Sequence, residues 1–116
     1  MLLGRTVNER GSVAFRIVFK DELGQGYIPI EDTVFYSLYA QLKGDKSWAI
    51  VNKRKKVPLR ATSIIDLVLQ GPDLALRGDC TTKRQALIEW QYLKDNEPVL
   101  GRDIVEFEVT ALPGGA

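Results

Sequence analysis

The chain has 116 residues, of which 45% are hydrophobic and 27% are charged, and these values exclude a disordered or fibrous class and fit one globular domain. Sixteen basic and fifteen acidic residues give a formal charge of +1, so no global field draws the chain to nucleic acid or to an anionic membrane. The single cysteine, Cys80, excludes an internal disulfide and is compatible with a reducing cytoplasm. No apolar run approaches the roughly 18 to 20 residues of a membrane span, so no membrane partner is expected.

The first clear element is a strand from Ser12 to Lys20. Large apolar residues occupy every second position there, which places four of them on one face: Val13, Phe15, Ile17 and Phe19. Residues 1–11, which precede it, predict a short edge segment or arm. The segment Asp21–Gly26 supplies hydrogen-bond acceptors and two glycines, and it therefore predicts a chain reversal.

The next strand is expected near residues 33–42. Tyr36 shares a face with three smaller residues, Val34, Leu38 and Ala40, and we expect the other strands to pack on that face. Residues 43–46 predict a turn. Trp48–Val51 predicts a short strand, which Asn52 and the basic run at residues 53–56 are expected to end.

The second half of the chain predicts two or three further strands. Residues 63–69 alternate Ile65, Leu67 and Leu69 against Ile64, Asp66 and Val68. A proline at a first helical turn position, Pro72, predicts a one-turn 3₁₀ helix that places Leu74 over the core. After a turn at residues 94–98, the segment from Asp103 to Ala111 alternates Val105, Phe107 and Val109 against Ile104, Glu106 and Glu108.

Residues 82–93 leave a choice between helix and strand. Several members, such as Lys83 and Ala86, are good helix formers. The large residues Ile88, Trp90 and Tyr92 instead favour strands and fall at period two, so a strand is favoured.

Together these elements predict an all-β fold, an immunoglobulin-like antiparallel β-sandwich of about seven strands. We expect one domain over residues 1–111 and a flexible C-terminal tail at residues 112–116. Tyr36, Ile88 and Trp90 are expected to share the core between the two sheets.

The same arrangement resembles small immunoglobulin-like β-sandwich proteins encoded among phage and prophage structural genes. The resemblance spans residues 12–111 and is carried by five segments, namely Lys20–Gly24, Pro29, Val34–Tyr39, Ala61–Leu74 and Ile88–Tyr92. The chain departs from that pattern at Tyr36, where the family often has tryptophan, at Gln70 and Pro72, which replace serine and aspartate, and in the basic run. The resemblance implies a virion, tail or assembly component that contacts itself or other virion proteins, in the host bacterial cytoplasm and the virion.

Residue types argue against an enzyme. The absence of histidine removes the usual general base and the imidazole ligand of most zinc sites. Cys80 lies in a loop-like sequence without a nucleophile's partners, and Gly24-Gln-Gly26 lacks the rest of a nucleotide-binding motif. Acidic pairs such as Asp21-Glu22 and Glu31-Asp32 sit in predicted turns. No catalytic residue, cofactor or metal is therefore expected, and the chain is predicted to be a non-enzymatic structural or interaction module.

The basic run is the strongest local charge feature. Its cations could contact nucleic acid or another anion, with Trp48 stacking on a base. They are Lys53, Arg54, Lys55, Lys56 and, nearby, Arg60. The alternative is a solvated hairpin tip or an edge strand that lysines protect against aggregation.

Apolar residues on outward faces predict self-association into a homo-oligomer through a sheet face or edge. The residues named for this contact are Val18, Leu87, Leu93 and Ile104. A third possible function is carbohydrate binding, which would require Trp48, Trp90 and tyrosines to line one exposed platform.

Overall fold

The computed structural model of the protein describes residues 2–8, 11–21, 23–57 and 62–110, with side chains from residue 7 onward. Seven strands lie in these ranges: β1 (Leu2–Asn8), β2 (Ser12–Val18), β3 (Phe35–Leu42), β4 (Trp48–Lys56), β5 (Ile64–Gln70), β6 (Cys80–Lys94) and β7 (Glu97–Thr110). They form a five-stranded sheet in the order β1-β7-β6-β3-β4 and a two-stranded sheet of β2 and β5. The all-β, two-sheet prediction is confirmed. The predicted tail and Arg60 lie outside the described residues.

One strand pair departs from the antiparallel prediction. β1 runs parallel to β7, with Val7 opposite Val109, whereas the other pairs of the described strands are antiparallel. A parallel pair needs a long connection, and nearly the whole chain separates these two strands. The large sheet is therefore mixed, and the N-terminal segment is an edge strand.

The core lies between the two sheets and follows the alternation of the sequence. β2 and β5 pair from Ser12 opposite Gln70 to Val18 opposite Ile64, and in both strands every second residue is buried. Phe15 reaches across to Phe107 of the large sheet, with 5.1 Å between ring centroids. The 3₁₀ helix at Gly71–Leu74, as predicted, places Leu74 in the core.

Residues 82–93 belong to a strand, as predicted, and they place Ile88 and Trp90 in the core. The half-buried Tyr36 packs against the same core. Its hydroxyl donates a hydrogen bond to Asp73 at 3.2 Å, so this side chain joins β3 to the 3₁₀ helix.

The hairpin of β6 and β7 is longer than predicted, because β7 begins at Glu97 instead of Asp103. Asp95 and Asn96 adopt φ values of 52° and 64°, the left-handed conformation that a two-residue hairpin turn requires. Lys94 therefore pairs directly with Glu97. The turn predicted at residues 94–98 shrinks to two residues.

The prediction that the basic run ends the fourth strand is wrong, because β4 continues through the run to Lys56. Its pairing with β3 shifts twice, and near Ser37 the backbone of Arg54 has a φ of 50°. The Arg54 backbone N–H donates to the Ser37 hydroxyl at 3.1 Å. Bulges and cations are typical of an edge strand that must not pair with another chain, since they interrupt its free edge.

Candidate functional site on the outer face of the five-stranded sheet

The outward face of the five-stranded sheet carries large apolar side chains where a solvated face would carry polar ones. We call five of them the apolar centre: Phe35, Tyr39, Ile50, Leu87 and Ile104. Tyr39 is paired with Ile50, and Leu87 with Ile104, so these side chains are direct cross-strand neighbours. Ile50 is 51% exposed and Ile104 is 38% exposed.

Strand β3 explains how this surface arises. Its inward residues Leu38 and Ala40 are fully buried, while Phe35 and Tyr39 alternate with them on the outward face. A strand that is apolar on both faces is typical of a sheet that is covered on both sides. The two-stranded sheet covers one side, and the apolar centre occupies the other.

A basic rim, which we define as Arg54, Glu89 and Arg102, borders the apolar centre at one end. The Glu89 carboxylate lies 3.7 Å from a guanidinium nitrogen of Arg54 and 3.4 Å from one of Arg102. Arg54 also lies over the ring of Phe35, 4.6 Å from its centroid. Two arginines and one glutamate leave this rim with a formal charge of +1.

An acidic rim, which we define as Lys83, Glu106 and Glu108, borders the opposite end and carries a formal charge of −1. Glu106 accepts a hydrogen bond from the side-chain amide of Gln85 at 3.1 Å. Lys83 is paired with Glu108 across the two strands. These residues line an open groove of about 430 Å³ that Gln41 and Trp48 also border.

The four residues predicted for self-association do not form one surface. Leu87 and Ile104 meet in the apolar centre. Val18 lies on the outward face of the two-stranded sheet, opposite Ile64. Leu93 lies near the β6–β7 turn, where it lines a pocket of about 280 Å³ with Leu23 and other residues.

Sequence reasoning missed Phe35, Tyr39 and Ile50 as surface residues. The signal was present for the first two, because the run Val34–Ala40 is apolar at nearly every position and not at every second one. Ile50 could be placed on this face only through its pairing with Tyr39, which depends on the two register shifts of β4.

The basic run lies on the exposed edge of the large sheet. Lys53, Arg54, Lys55 and Lys56 are all exposed. Arg54 pairs with Glu89, and the Lys56 amine lies 2.6 Å from Asp32. Two of these cations are therefore engaged by carboxylates.

The Cys80 thiol and the Asp21 carboxylate both make local contacts. Burial, together with the carboxylate of Asp79, raises the pKa of the Cys80 thiol, which keeps it protonated and weakly nucleophilic. The Asp21 carboxylate accepts the backbone N–H groups of Leu23 and Gln25, so it serves the turn. Within the described ranges, no group of three or more histidine, cysteine or acidic residues could hold a metal ion.

The two tryptophans lie on opposite faces of the large sheet. Trp90 is 6% exposed, and its indole N–H donates to the Tyr27 hydroxyl at 2.8 Å. Trp48 is 37% exposed at the margin of the acidic rim. They do not form the shared platform that the carbohydrate-binding alternative requires.

Among the residues that the structure describes, no helix is long and apolar enough to cross a membrane. Neither a protein-family model nor a curated protein matches the chain.

Proposed function

We propose that this chain is a non-enzymatic interaction module that binds a second copy of itself through the outward face of the five-stranded sheet. The observation that carries the proposal is that β3 carries two aromatic rings, Phe35 and Tyr39, on its outward face, while the second sheet covers only its other face. Water contact with Phe35, Tyr39, Leu87 and Ile104 is unfavourable, and a second copy would remove it.

The anatomy of the surface supports a protein partner. An apolar centre with a polar, charged rim is the usual arrangement at protein–protein interfaces. Five strands spaced about 4.8 Å apart, with about eight residues each, cover on the order of 600 Å². That area lies at the low end of what each partner contributes to a stable complex, so a reversible dimer is expected.

The resemblance to phage and prophage structural proteins supports a place for such a module in a virion or tail. Components of this kind act through repeated contacts between copies or with neighbouring proteins. Detection of the chain in purified virions would test this part of the proposal.

A matched pair of variants tests the surface. Ile104→Lys places a charge in the apolar centre, whereas Val68→Lys places the same charge on the outward face of the two-stranded sheet, where Val68 is 50% exposed. Analytical ultracentrifugation should show a monomer for Ile104→Lys and unchanged self-association for Val68→Lys. Equal behaviour of the two variants would contradict the assignment of the surface.

The exposure of the basic run favours nucleic-acid binding as a second candidate function. Changing Lys53, Arg54, Lys55 and Lys56 to serine should then abolish a fluorescence shift with single-stranded DNA, and the unmodified protein's binding should weaken steeply with salt. Absence of binding by the unmodified protein at low salt would leave the run with its role in protecting the sheet edge.

A further inference from the structure

We infer that two copies meet face to face about a two-fold axis that lies in the interface and crosses the strands at the row formed by Ser37, Leu87 and Ile104. This inference rests on the proposed function, since it specifies the geometry of that self-association. It follows from the order of side chains on three neighbouring strands. On each of these strands, the outward side chain before the row and the one after it are chemically complementary.

On β7, the residues that flank Ile104 on the same face are Arg102 and Glu106. Their cross-strand partners on β6 are Glu89 and Gln85 respectively. The arginine and the glutamate therefore lie one outward position on either side of the row, with opposite charges. A two-fold axis across the strands exchanges these positions, so Arg102 of each copy faces Glu106 of the other.

Strand β3 repeats the pattern with aromatic rings. Ser37 lies in the row opposite Leu87, and Phe35 and Tyr39 are the outward residues on its two sides. The same axis places Phe35 of each copy against Tyr39 of the other, so the dimer contains two such aromatic contacts. Aromatic pairs of this kind add to the burial of apolar area at an interface.

Strand β6 between them is compatible with the same axis. Leu87 meets its own copy at the centre, and Gln85 faces Glu89 of the other molecule. A side-chain amide opposite a carboxylate is a donor opposite an acceptor. The three strands thus agree on one axis.

The other two-fold arrangement of facing sheets has its axis parallel to the strands. If that axis follows β6, each residue of this strand meets its own copy, so Glu89 would face Glu89. Arg102 would face Phe35, which sits opposite Glu89 on the far side of β6. That arrangement sets like charges together and leaves Glu106 without a cation.

The Arg102 side chain is long and exposed enough to reach the half-buried Glu106 of a second copy. The Arg102 side chain is 63% exposed although one of its nitrogens lies 3.4 Å from Glu89. The strands of two facing sheets cross at an angle of about 30°. A residue that lies one strand and one row from the axis is therefore offset by about 4 Å from the residue it faces in the other copy. An arginine and a glutamate span that offset.

Charge reversal tests the axis, with the dissociation constant of the dimer measured by sedimentation equilibrium. Arg102→Glu and Glu106→Arg should each weaken self-association by about tenfold or more, because each variant places two pairs of like charges at the interface. The double variant, Arg102→Glu with Glu106→Arg, should return to within about threefold of the unmodified chain. Arg16→Glu, on the outward face of the two-stranded sheet, provides a control that should leave the dimer unchanged.

The two single variants should also associate with each other when mixed. In the mixed dimer the introduced glutamate of one chain faces the introduced arginine of the other. The native Glu106 of the first chain likewise faces the native Arg102 of the second, so both contacts become attractive. Native mass spectrometry of the mixture should therefore show more heterodimer than either homodimer, since each variant alone associates weakly. Circular dichroism would first establish that each variant is folded.

The outcomes separate this inference from the proposed function. A dimer that Ile104→Lys abolishes but that charge reversal leaves intact, or a double variant and mixture that stay monomeric, would overturn the axis and retain the surface. A monomeric unmodified chain would overturn both.

Discussion

The indole of Trp90 lies directly against Gly101 on the neighbouring strand. The two residues are register partners, and a Cβ atom added to Gly101 would lie 2.4 Å from the ring. Phe19 packs edge-on against the same indole, with 4.9 Å between ring centroids. No side chain fits between this position and the indole ring, so position 101 requires glycine.

Gly101→Ala should lower the free energy of unfolding by about 1–3 kcal/mol, because the new methyl group must displace a buried ring. Urea denaturation measures this change. Gly44→Ala is the control, since a Cβ at Gly44 meets nothing within 4 Å. Equal stability of the two variants would show that the ring does not lie against Gly101.

Trp90→Ala should lower the free energy of unfolding by about 3–5 kcal/mol, as truncations of core aromatic residues do. In that background Gly101→Ala should become nearly neutral, because the ring it would strike is gone. A double-mutant cycle measures the coupling. Additive effects would contradict the contact, and an unchanged thermal melt for Trp90→Ala would remove this residue from the core.

Tyr36 should make stability depend on alkaline pH. Burial, together with the carboxylate of Asp73, raises the pKa of its phenol to about 12 from an ordinary value of 10.0. The folded state therefore favours the protonated phenol, and its contribution is fully present below pH 10 and is lost as pH rises from 10 to 12. Solvent screens this half-buried group, so the loss is about 1–2 kcal/mol.

Tyr36→Phe isolates this effect from the titration of lysines and other tyrosines. Urea midpoints measured from pH 9 to 12 should fall less steeply for Tyr36→Phe than for the unmodified chain. Parallel curves would mean that the phenol titrates alike in the folded and unfolded states.

Replacement of Arg84 by lysine should destabilise the fold. This residue is 1% exposed, and its guanidinium donates to the carbonyl oxygens of Thr81, Lys83 and Ala75 at 2.6, 2.9 and 3.4 Å. Arg84→Lys should cost about 1–3 kcal/mol, because one amine cannot reach all of these acceptors and buried acceptors are left unpaired. The same change at the exposed Arg16 should cost less than about 0.5 kcal/mol. Comparable losses at both sites, measured by urea denaturation, would contradict the role of Arg84.

The elements that sequence predicted well are those whose pattern is local. Alternation from Val13 to Phe19 and from Ile65 to Leu69 determines which face of each strand is buried, because side chains alternate across a sheet. The position of Trp90 in the core follows from the same rule. Local pattern does not specify which strands are neighbours, so the parallel β1–β7 pair could not be predicted.

The candidate site also depends on which strands are neighbours, so the sequence alone could not predict it in full. Alternation predicts outward positions for Leu87 and Ile104 and equally for Val18 and Leu93. Nothing in the individual strands separates the two pairs. The order β7-β6-β3-β4 brings the first pair together with Tyr39 and Ile50 and places the second pair elsewhere. The extension of β4 through the basic run likewise depends on bulges formed against β3.

Sedimentation equilibrium of the unmodified chain, from low micromolar to high micromolar concentration, tests the central claim most directly. We predict that the weight-average mass rises with concentration from that of one 13.0 kDa chain toward that of two. A mass that stays at 13.0 kDa across the whole range would contradict self-association through the outward face of the five-stranded sheet.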